Sequence, residues 1–211
     1  MELQKFIDSR KYLYHLTDQL NLKSILSDYT LKSTKELVKA SNIEKKTAFL
    51  RTRRLNHCPI RINGFDIMIR DQYPLNPIIA MKNMTKGWVF EDFVYHLNSR
   101  IFFWPTEKDL KAHYKRYEND QEYPIILRLE TKEIFDLNKT EPLFCKFNSG
   151  APRCHNFYKK GAAPRGENSF LKAIDYPAEV GSVREVTFKD FCFLPKNIYL
   201  SSHPDKPFKK L

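Results

Sequence analysis

The sequence predicts an α+β fold in which short β-strands are interspersed with helices and no regular βαβ rhythm appears. Two patterns carry this prediction: polar and apolar residues alternate in several short runs, and stretches of helical spacing that open on N-cap residues separate those runs. A length of 211 residues suffices for one sizeable core, with roughly 70% of the unfolded surface buried. We therefore expect one domain over residues 1–211, with a basic tail at 203–211 that frays.

The first predicted elements are a strand from Tyr12 to Thr17 and a helix that begins after Asp18, a favourable N-cap residue. A second helix start follows at Ser33, because Glu36 stands three residues later in capping-box spacing. The stretch from Lys45 to Arg61 is basic and has no clear period, so a solvated loop is predicted there.

Alternation from Phe65 to Ile69 predicts a half-buried strand, and Pro77 can open the helix that follows. Apolar residues recur at helical spacing from Trp88 to Leu97. Arg100 to Trp104 then reads as a short aromatic strand, which the next residue, a proline, ends.

In the C-terminal half, Thr106 is predicted to cap a polar helix. Asn148 to Asn168 is rich in glycine and proline and is predicted to be a long irregular loop, a feature that is usually functional in a compact domain. The remaining predicted strands are Tyr123 to Leu129, Leu143 to Phe147, Val183 to Phe188 and Asn197 to Leu200.

The chain is strongly basic, since 36 Lys and Arg against 25 Asp and Glu give a formal charge of +11. Such a surface attracts polyanions, and nucleic acid is the expected partner. We find no long apolar helix, signal sequence or lipidation motif, so no membrane partner and a cytoplasmic location are expected. Four cysteines without a Cys-x-x-Cys pair indicate reduced thiols, and no metal site is expected.

Two segments could contact a small ligand. On a strand His15 and Thr17 face the same side, so an imidazole and a hydroxyl can reach one ligand together, although a purely structural histidine is an open alternative. The aromatic strand through Trp104 could place a ring against a flat heterocycle, and core packing is the alternative for each ring.

The basic run of Arg51, Arg53 and Arg54 suits phosphate or pyrophosphate, because guanidinium groups offer paired donors in a fixed fork. A solvated basic loop is the alternative for this run. Near the C-terminus, Glu185 lies on a predicted strand between apolar and β-branched neighbours. A carboxylate there is desolvated unless it has a partner, which favours a working acid over the alternative of an edge-strand glutamate that faces water.

Cations are interleaved with aromatic rings in the long loop that precedes Glu185. This pattern suits single-stranded nucleic acid, where cations meet phosphates and rings stack on bases, and a flexible surface loop is the alternative. The candidate nucleic-acid-binding residues are Arg153, His155, Tyr158, Lys159, Lys160 and Arg165.

Taken in order, the His15-Leu16-Thr17 strand with its helix, the aromatic strand and the late strand with Glu185 resemble the ADP-ribosyltransferase fold. Within that fold the likeness is to the DarT-type toxins, which transfer ADP-ribose from NAD to bases of single-stranded DNA, and to their RNA-directed relatives. The segments Arg70-Asp71-Gln72, Phe102 to Pro105 and Asn148-Ser149-Gly150 also resemble a poorly characterised family of short bacterial proteins.

The resemblance implies a mixed, split β-sheet core with flanking helices, and NAD as co-substrate. It implies that Glu185 is the catalytic carboxylate and that Arg51 or Arg53 faces the phosphates. It also implies that an aromatic residue of a strand stacks on the nicotinamide ring. This residue is commonly a tyrosine, and this chain has Phe103 and Trp104 at that place. The remaining NAD-contacting residues that it implies are His15, Leu16 and Thr17.

The sequence thus predicts an NAD-dependent ADP-ribosyltransferase that modifies a base of single-stranded DNA or RNA. A toxin or phage-defence role, with an antitoxin protein as a further partner, follows from the resemblance alone. Val183 stands where arginine-modifying transferases carry a paired glutamate, which argues against a protein arginine as acceptor. The alternatives are a noncatalytic basic nucleic-acid-binding protein and a transferase with a protein target. If the chain is such a transferase, His15 and Glu185 are expected to face one cleft.

Overall fold

The computed structural model describes residues 1–115, 123–151, 163 and 165–211, and it confirms the α+β fold. The helices are α1 (Leu3–Ser9), α2 (Leu22–Asp28), α3 (Thr34–Ala40), α4 (Lys46–Arg51), α5 (Pro77–Met81), α6 (Phe90–Asn98), α7 (Glu107–Tyr114) and α8 (Thr131–Leu137). The strands are β1 (Tyr12–Asp18), β2 (Thr30–Lys32), β3 (Cys58–Ile62), β4 (Phe65–Ile69), β5 (Arg100–Phe103), β6 (Pro124–Glu130), β7 (Leu143–Cys145), β8 (Glu185–Lys189), β9 (Phe191–Phe193), β10 (Tyr199–Ser201) and β11 (Lys209–Lys210).

Two antiparallel sheets form the centre of the molecule, in the strand orders β1-β6-β10-β11 and β5-β8-β7. The sheets meet at a backbone bridge, where Tyr14 N donates to Trp104 O at 3.0 Å and Trp104 N donates to Tyr14 O at 2.8 Å. Strand β1 therefore touches the end of β5 while each strand belongs to its own sheet, and the predicted split of the sheet is confirmed.

One apolar core joins the two central sheets. Leu127 and Leu129 of the first sheet, and Phe144 and Phe188 of the second, are buried in the same cluster as Phe6 of α1. Each fully buried side chain of this kind stabilises the fold by about 1.5–3 kcal/mol. The core thus fixes the two sheets against each other, and with them the strands that carry the predicted site residues.

Several local predictions agree with the structure. The Asp18 side chain accepts from Leu20 N at 2.8 Å and caps the turn that leads into α2. The Ser33 side chain caps α3 by accepting from Glu36 N. Strand β4 and the start of α5 at Pro77 also lie where the sequence pattern put them.

The prediction of a solvated loop from Lys45 to Arg61 is wrong, because α4 and β3 lie within it. Leu50 of α4 is buried against Ile69, and Ile60 of β3 packs at the edge of the same cluster. A few apolar residues hold these short elements by tertiary contact, while the many cations around them hide any periodicity.

The C-terminal tail does not fray as predicted. Strand β11 pairs with β10, with Lys210 opposite Tyr199. Phe208 packs on the ring of Tyr14 with centroids 5.9 Å apart, and the Arg128 guanidinium lies 4.5 Å from its centroid. These ring contacts bind a segment that composition alone marks as polar.

Candidate active site

A cavity of about 250 Å³ lies between strands of the two central sheets. Residues from distant parts of the chain line it, and most belong to segments that the sequence patterns singled out. Among the lining residues are His15, Leu16 and Thr17 of β1, Arg70, Asp71 and Gln72 after β4, Phe102 and Trp104 at β5, Asn148, Ser149 and Gly150 after β7, and Glu185 of β8. His15 and Glu185 therefore face one cleft, as the sequence predicted.

Glu185 is buried at the cavity, with only 3% of its surface exposed. Its Oε1 accepts from Ser149 N at 3.1 Å, and within the described part of the chain Oε2 is buried without a hydrogen-bond partner. Burial raises the pKa of this carboxyl to about 8, against the opposing effect of the Ser149 hydrogen bond. Because β8 is the central strand of its sheet, the alternative of an edge-strand glutamate that faces water is wrong.

His15 is held by the neighbouring strand, since its Nδ1 lies 2.9 Å from Phe102 O. A carbonyl oxygen only accepts, so Nδ1 carries the proton and Nε2 is left as an acceptor. Burial, together with the charge of Arg70, lowers the pKa of the imidazole to about 4. At neutral pH His15 is therefore an uncharged group that can accept a hydrogen bond from a ligand hydroxyl.

Thr17 is tied into a small network behind the cavity. Its Oγ1 accepts from Asn21 Nδ2 at 2.9 Å, and Asn21 also bonds both backbone groups of Met68 in β4. The carbonyl of Thr17 accepts from Arg70 Nη2 at 3.3 Å. Thr17 thus fixes the position of other groups at the cavity, including an arginine that the sequence patterns did not assign.

The arginines predicted to face phosphates, Arg51 and Arg53, do not line the cavity. Arg51 ends α4 and forms an ion pair with Asp92 of α6. Arg53 donates to the backbone carbonyls of Gln72 and Tyr73. The next residue, Arg54, lines the cavity.

Arg54 and Arg70 are the arginines that line the cavity together with Arg100. Arg54 Nε donates to Arg70 O at 3.1 Å, and Arg54 Nη1 donates to Asn98 Oδ1 at 3.0 Å. Burial lowers the pKa of Arg54 to about 10, which leaves it charged at neutral pH. Since both acceptors are uncharged, the guanidinium keeps its positive charge for a ligand.

The prediction that Phe103 contacts a ligand is wrong. Phe103 is 0% exposed and packs edge-on against Phe188 with centroids 5.8 Å apart, so it belongs to the core. Phe102 faces the other side of β5 and lines the cavity. Trp104 lines it as well, and its indole stacks on His113 at 4.2 Å.

Most of the predicted nucleic-acid-binding residues, namely Arg153, His155, Tyr158, Lys159 and Lys160, lie outside the described residues. Arg165 is described, and its prediction is wrong because the side chain is 0% exposed. Its guanidinium donates to the carbonyls of Ala151 and Ala163. Arg165 thus ties together the two ends of the loop and offers no surface to a polyanion.

Sequence reasoning missed Asn98 and Arg100 at this cavity, and it named Arg54 in the basic run but chose Arg51 and Arg53 as the best candidates. A signal existed for others, because the Arg70-Asp71-Gln72 and Asn148-Ser149-Gly150 segments already stood out by resemblance. Within residues 1–115, 123–151, 163 and 165–211, no group of three His, Cys, Asp or Glu side chains could hold a metal ion. Over the same residues no helix has the length and apolar character needed to span a bilayer.

The fold and the cavity define an α+β protein with a buried carboxyl group and a neutral imidazole in one cationic cleft. The chain belongs to a family of unknown function (DUF7002), whose sequence profile matches residues 11–191. No curated protein matches it. Among solved structures, DarT of Thermus sp. 2.9 in complex with ADP-ribosylated ssDNA is similar over 90% of this chain and 81% of that chain, with 13% identity and a TM-score of 0.39.

Proposed function

We propose that this protein is an NAD-dependent ADP-ribosyltransferase whose acceptor is a base of single-stranded nucleic acid. One observation carries the proposal: the buried carboxyl of Glu185 and the acceptor nitrogen of His15 line one cavity together with arginine side chains. The motif resemblance in the sequence points to the same two residues. A purely structural role explains neither the buried Oε2 of Glu185 nor its place at a cavity.

Glu185 supplies the negative charge that this reaction requires. Cleavage of the nicotinamide–ribose bond develops positive charge on the ribose, and a carboxylate beside it stabilises that state more than the ground state. In the free protein the raised pKa keeps Glu185 largely protonated at neutral pH. A cationic nicotinamide ring and a hydroxyl donor at Oε2 favour the charged form, so binding of NAD lowers this pKa.

The other groups orient the co-substrate. The Nε2 of His15 accepts from a ribose hydroxyl, because the bond from Nδ1 to Phe102 O fixes the tautomer. Arg54 and Arg70 contact the pyrophosphate, for which guanidinium is a suitable donor. Phe102 and Trp104 are the rings available to stack on the nicotinamide.

The charge of the chain and the loop that precedes Glu185 favour single-stranded nucleic acid as the acceptor. A formal charge of +11 favours a polyanion. Arg153, Lys159 and Lys160 with their aromatic neighbours suit an unpaired strand, whose bases can leave the stack and reach a buried carboxyl. The acceptor base then gives up its proton to Glu185, provided that it lies within hydrogen-bond distance.

The test is incubation with radiolabelled NAD and separate pools of single-stranded DNA, RNA and protein. We expect label in a nucleic-acid pool, and a loss of at least about 100-fold in the Glu185→Gln variant. Glu44→Gln is the matched control, because that carboxyl is exposed. Label that enters nucleic acid equally with Glu185→Gln, or label found in protein alone, contradicts the proposal.

A further inference from the structure

Arg100, the first residue of β5, is a buried cation at the cavity, with 8% of its surface exposed. Its Nη1 donates to Thr187 Oγ1 at 3.4 Å, its Nη2 lies 3.3 Å from His96 Nε2, and its guanidinium lies 4.4 Å from the centroid of the Phe170 ring. Each of these partners is uncharged. In the described part of the chain, Arg100 Nε has no hydrogen-bond partner and no carboxylate pairs with the guanidinium.

His96 fixes the direction of Arg100 without neutralising it. The imidazole is packed between Trp88, with centroids 5.1 Å apart, and Phe170, at 5.4 Å. Burial first, and then the charges of Arg100 and Lys189, lower the pKa of His96 to about 3. The ring is therefore neutral, and because a guanidinium only donates, His96 Nε2 is the acceptor. A carboxylate at this place would orient Arg100 equally well but would cancel its charge.

A guanidinium that is buried without an ion-pair partner is unfavourable, and folded proteins usually pair such a group. Burial lowers the pKa of Arg100 only to about 10, so the side chain stays charged at neutral pH. The opening beside it is the cavity itself, into which an anion can enter. The Asp190 carboxylate favours the charge of Arg100 without forming an ion pair with it, so a ligand anion is the direct partner that the cavity can supply.

We propose that Arg100, oriented by His96, is a phosphate-binding subsite of the cavity, additional to Arg54 and Arg70. Thr187, which accepts from Arg100, shares a strand face with Glu185, and such neighbours lie about 7 Å apart. A phosphate at Arg100 is therefore within one nucleotide of the carboxyl. The identity of the phosphate rests on the proposed function. On that function it is either the pyrophosphate of NAD or a phosphodiester of the acceptor strand.

The first experiment is calorimetric titration of the purified protein with inorganic pyrophosphate. We expect binding to weaken at least about tenfold in Arg100→Gln, since a charged hydrogen-bonding group is lost. Arg61→Gln is the matched control, because that arginine is 73% exposed on its side chain, and its affinity should equal that of the wild type. Equal affinity in Arg100→Gln and the wild type overturns the subsite, as does a wild type that binds no pyrophosphate.

His96 is tested as a positioning residue. His96→Gln keeps an acceptor toward Arg100 and should retain most of the pyrophosphate affinity, whereas His96→Leu should lose it. Thermal unfolding in phosphate-free buffer reports on the fold: removal of a buried charge that has no ion-pair partner should leave the Tm of Arg100→Gln no lower than that of the wild type. Only the rise in Tm caused by pyrophosphate should disappear. Equal affinities for His96→Leu and His96→Gln contradict the role of His96.

Two further ligands distinguish the source of the phosphate. A loss of affinity in Arg100→Gln for ADP-ribose, but not for an abasic single-stranded oligonucleotide, assigns the subsite to the dinucleotide, and the reverse assigns it to the acceptor strand. Failure of the subsite and of the proposed function are separable. Pyrophosphate binding that depends on Arg100 without any transfer from NAD refutes the function alone, and transfer at full rate by Arg100→Gln refutes the subsite alone.

Discussion

The burial of the Glu185 carboxyl makes the stability of the fold sensitive to pH. The folded protein raises the pKa of this carboxyl from its ordinary value of 4.5 to about 8. Between these two pH values the unfolded chain releases the proton while the folded chain keeps it. Stability contributed at this position therefore falls as pH rises from about 4.5, and the loss levels off above about 8.

We expect Glu185→Gln to be more stable than the wild type above pH 8, and equally stable below pH 4.5. Glutamine resembles the protonated acid and keeps the oxygen that accepts from Ser149 N. The gain is a few kcal/mol at most, because each pKa unit corresponds to about 1.4 kcal/mol. Urea unfolding at pH 4.5, 7 and 9 measures it, with Glu44→Gln as control. Parallel pH profiles for the wild type and Glu185→Gln would show that the carboxyl is not protonated in the fold.

The neighbouring rings Phe102 and Phe103 should separate binding from stability. Phe103→Ala leaves a hole in the core and should lower the free energy of unfolding by about 3–5 kcal/mol. Phe102→Ala removes a ring at the cavity, so it should lower the free energy of unfolding less than Phe103→Ala does and raise the Kd for NAD more than Phe103→Ala does. Denaturant unfolding and calorimetry on both variants test this pair. If a folded Phe103→Ala protein loses more NAD affinity than Phe102→Ala does, the placement of Phe102 at the ligand and Phe103 in the core is contradicted.

At the scale of elements, the sequence predicts the helices and strands whose pattern is complete within a few consecutive residues. Strand β1, the cap of α3 and the face of β8 that carries Glu185 follow from alternation and capping residues. Elements α4 and β3 did not, because their few apolar residues are hidden among cations and gain order only from contact with Ile69. The choice of Arg51 and Arg53 failed for the same reason, since the side on which an arginine emerges depends on an element that was not predicted.

The cavity itself has no local signal. It exists because β1 meets the end of β5 at the Tyr14–Trp104 bridge, and because β5 and β7 flank β8. These pairings join positions far apart in the chain, so periodicity fixes which face a residue takes but not which strand lies beside it. The resemblance supplied that missing information for His15 and Glu185, and it supplied none for His96 and Arg100.

The turn at Gly166 should be intolerant of any side chain. A Cβ at this position would lie 1.6 Å from Thr85 Oγ1, where the backbone of Arg165 pairs with Asn83 and Thr85. We expect Gly166→Ala to lower the Tm by several degrees, as a loss of about 1–3 kcal/mol from overpacking does. Gly181→Ala is the control, because a Cβ there meets no atom within 4 Å. Equal Tm values for the two variants would contradict the close contact.

At the scale of the molecule, two kinds of positive charge serve different purposes. The exposed cations act at a distance through the net charge of +11 and are screened by salt. At the cavity Arg54 is half-buried and Arg100 is buried, so screening is weak there, and uncharged partners fix the direction of each guanidinium. Capture of a strand should therefore depend strongly on ionic strength, and recognition of a phosphate at the cavity should depend on it less.

The affinity for a single-stranded oligonucleotide should fall steeply with salt. Three to five phosphate contacts give a slope of log K against log salt of about −2 to −3.5, which is a loss of roughly 20- to 100-fold between 50 and 200 mM. Lys159→Gln/Lys160→Gln should make the slope shallower by about 1.4, because two contacts are removed. Lys5→Gln/Lys132→Gln lowers the net charge equally at exposed positions with acidic partners and should leave the slope nearly unchanged. Fluorescence anisotropy over a salt series measures all three slopes, and identical slopes for the two double variants would place the strand elsewhere on the surface.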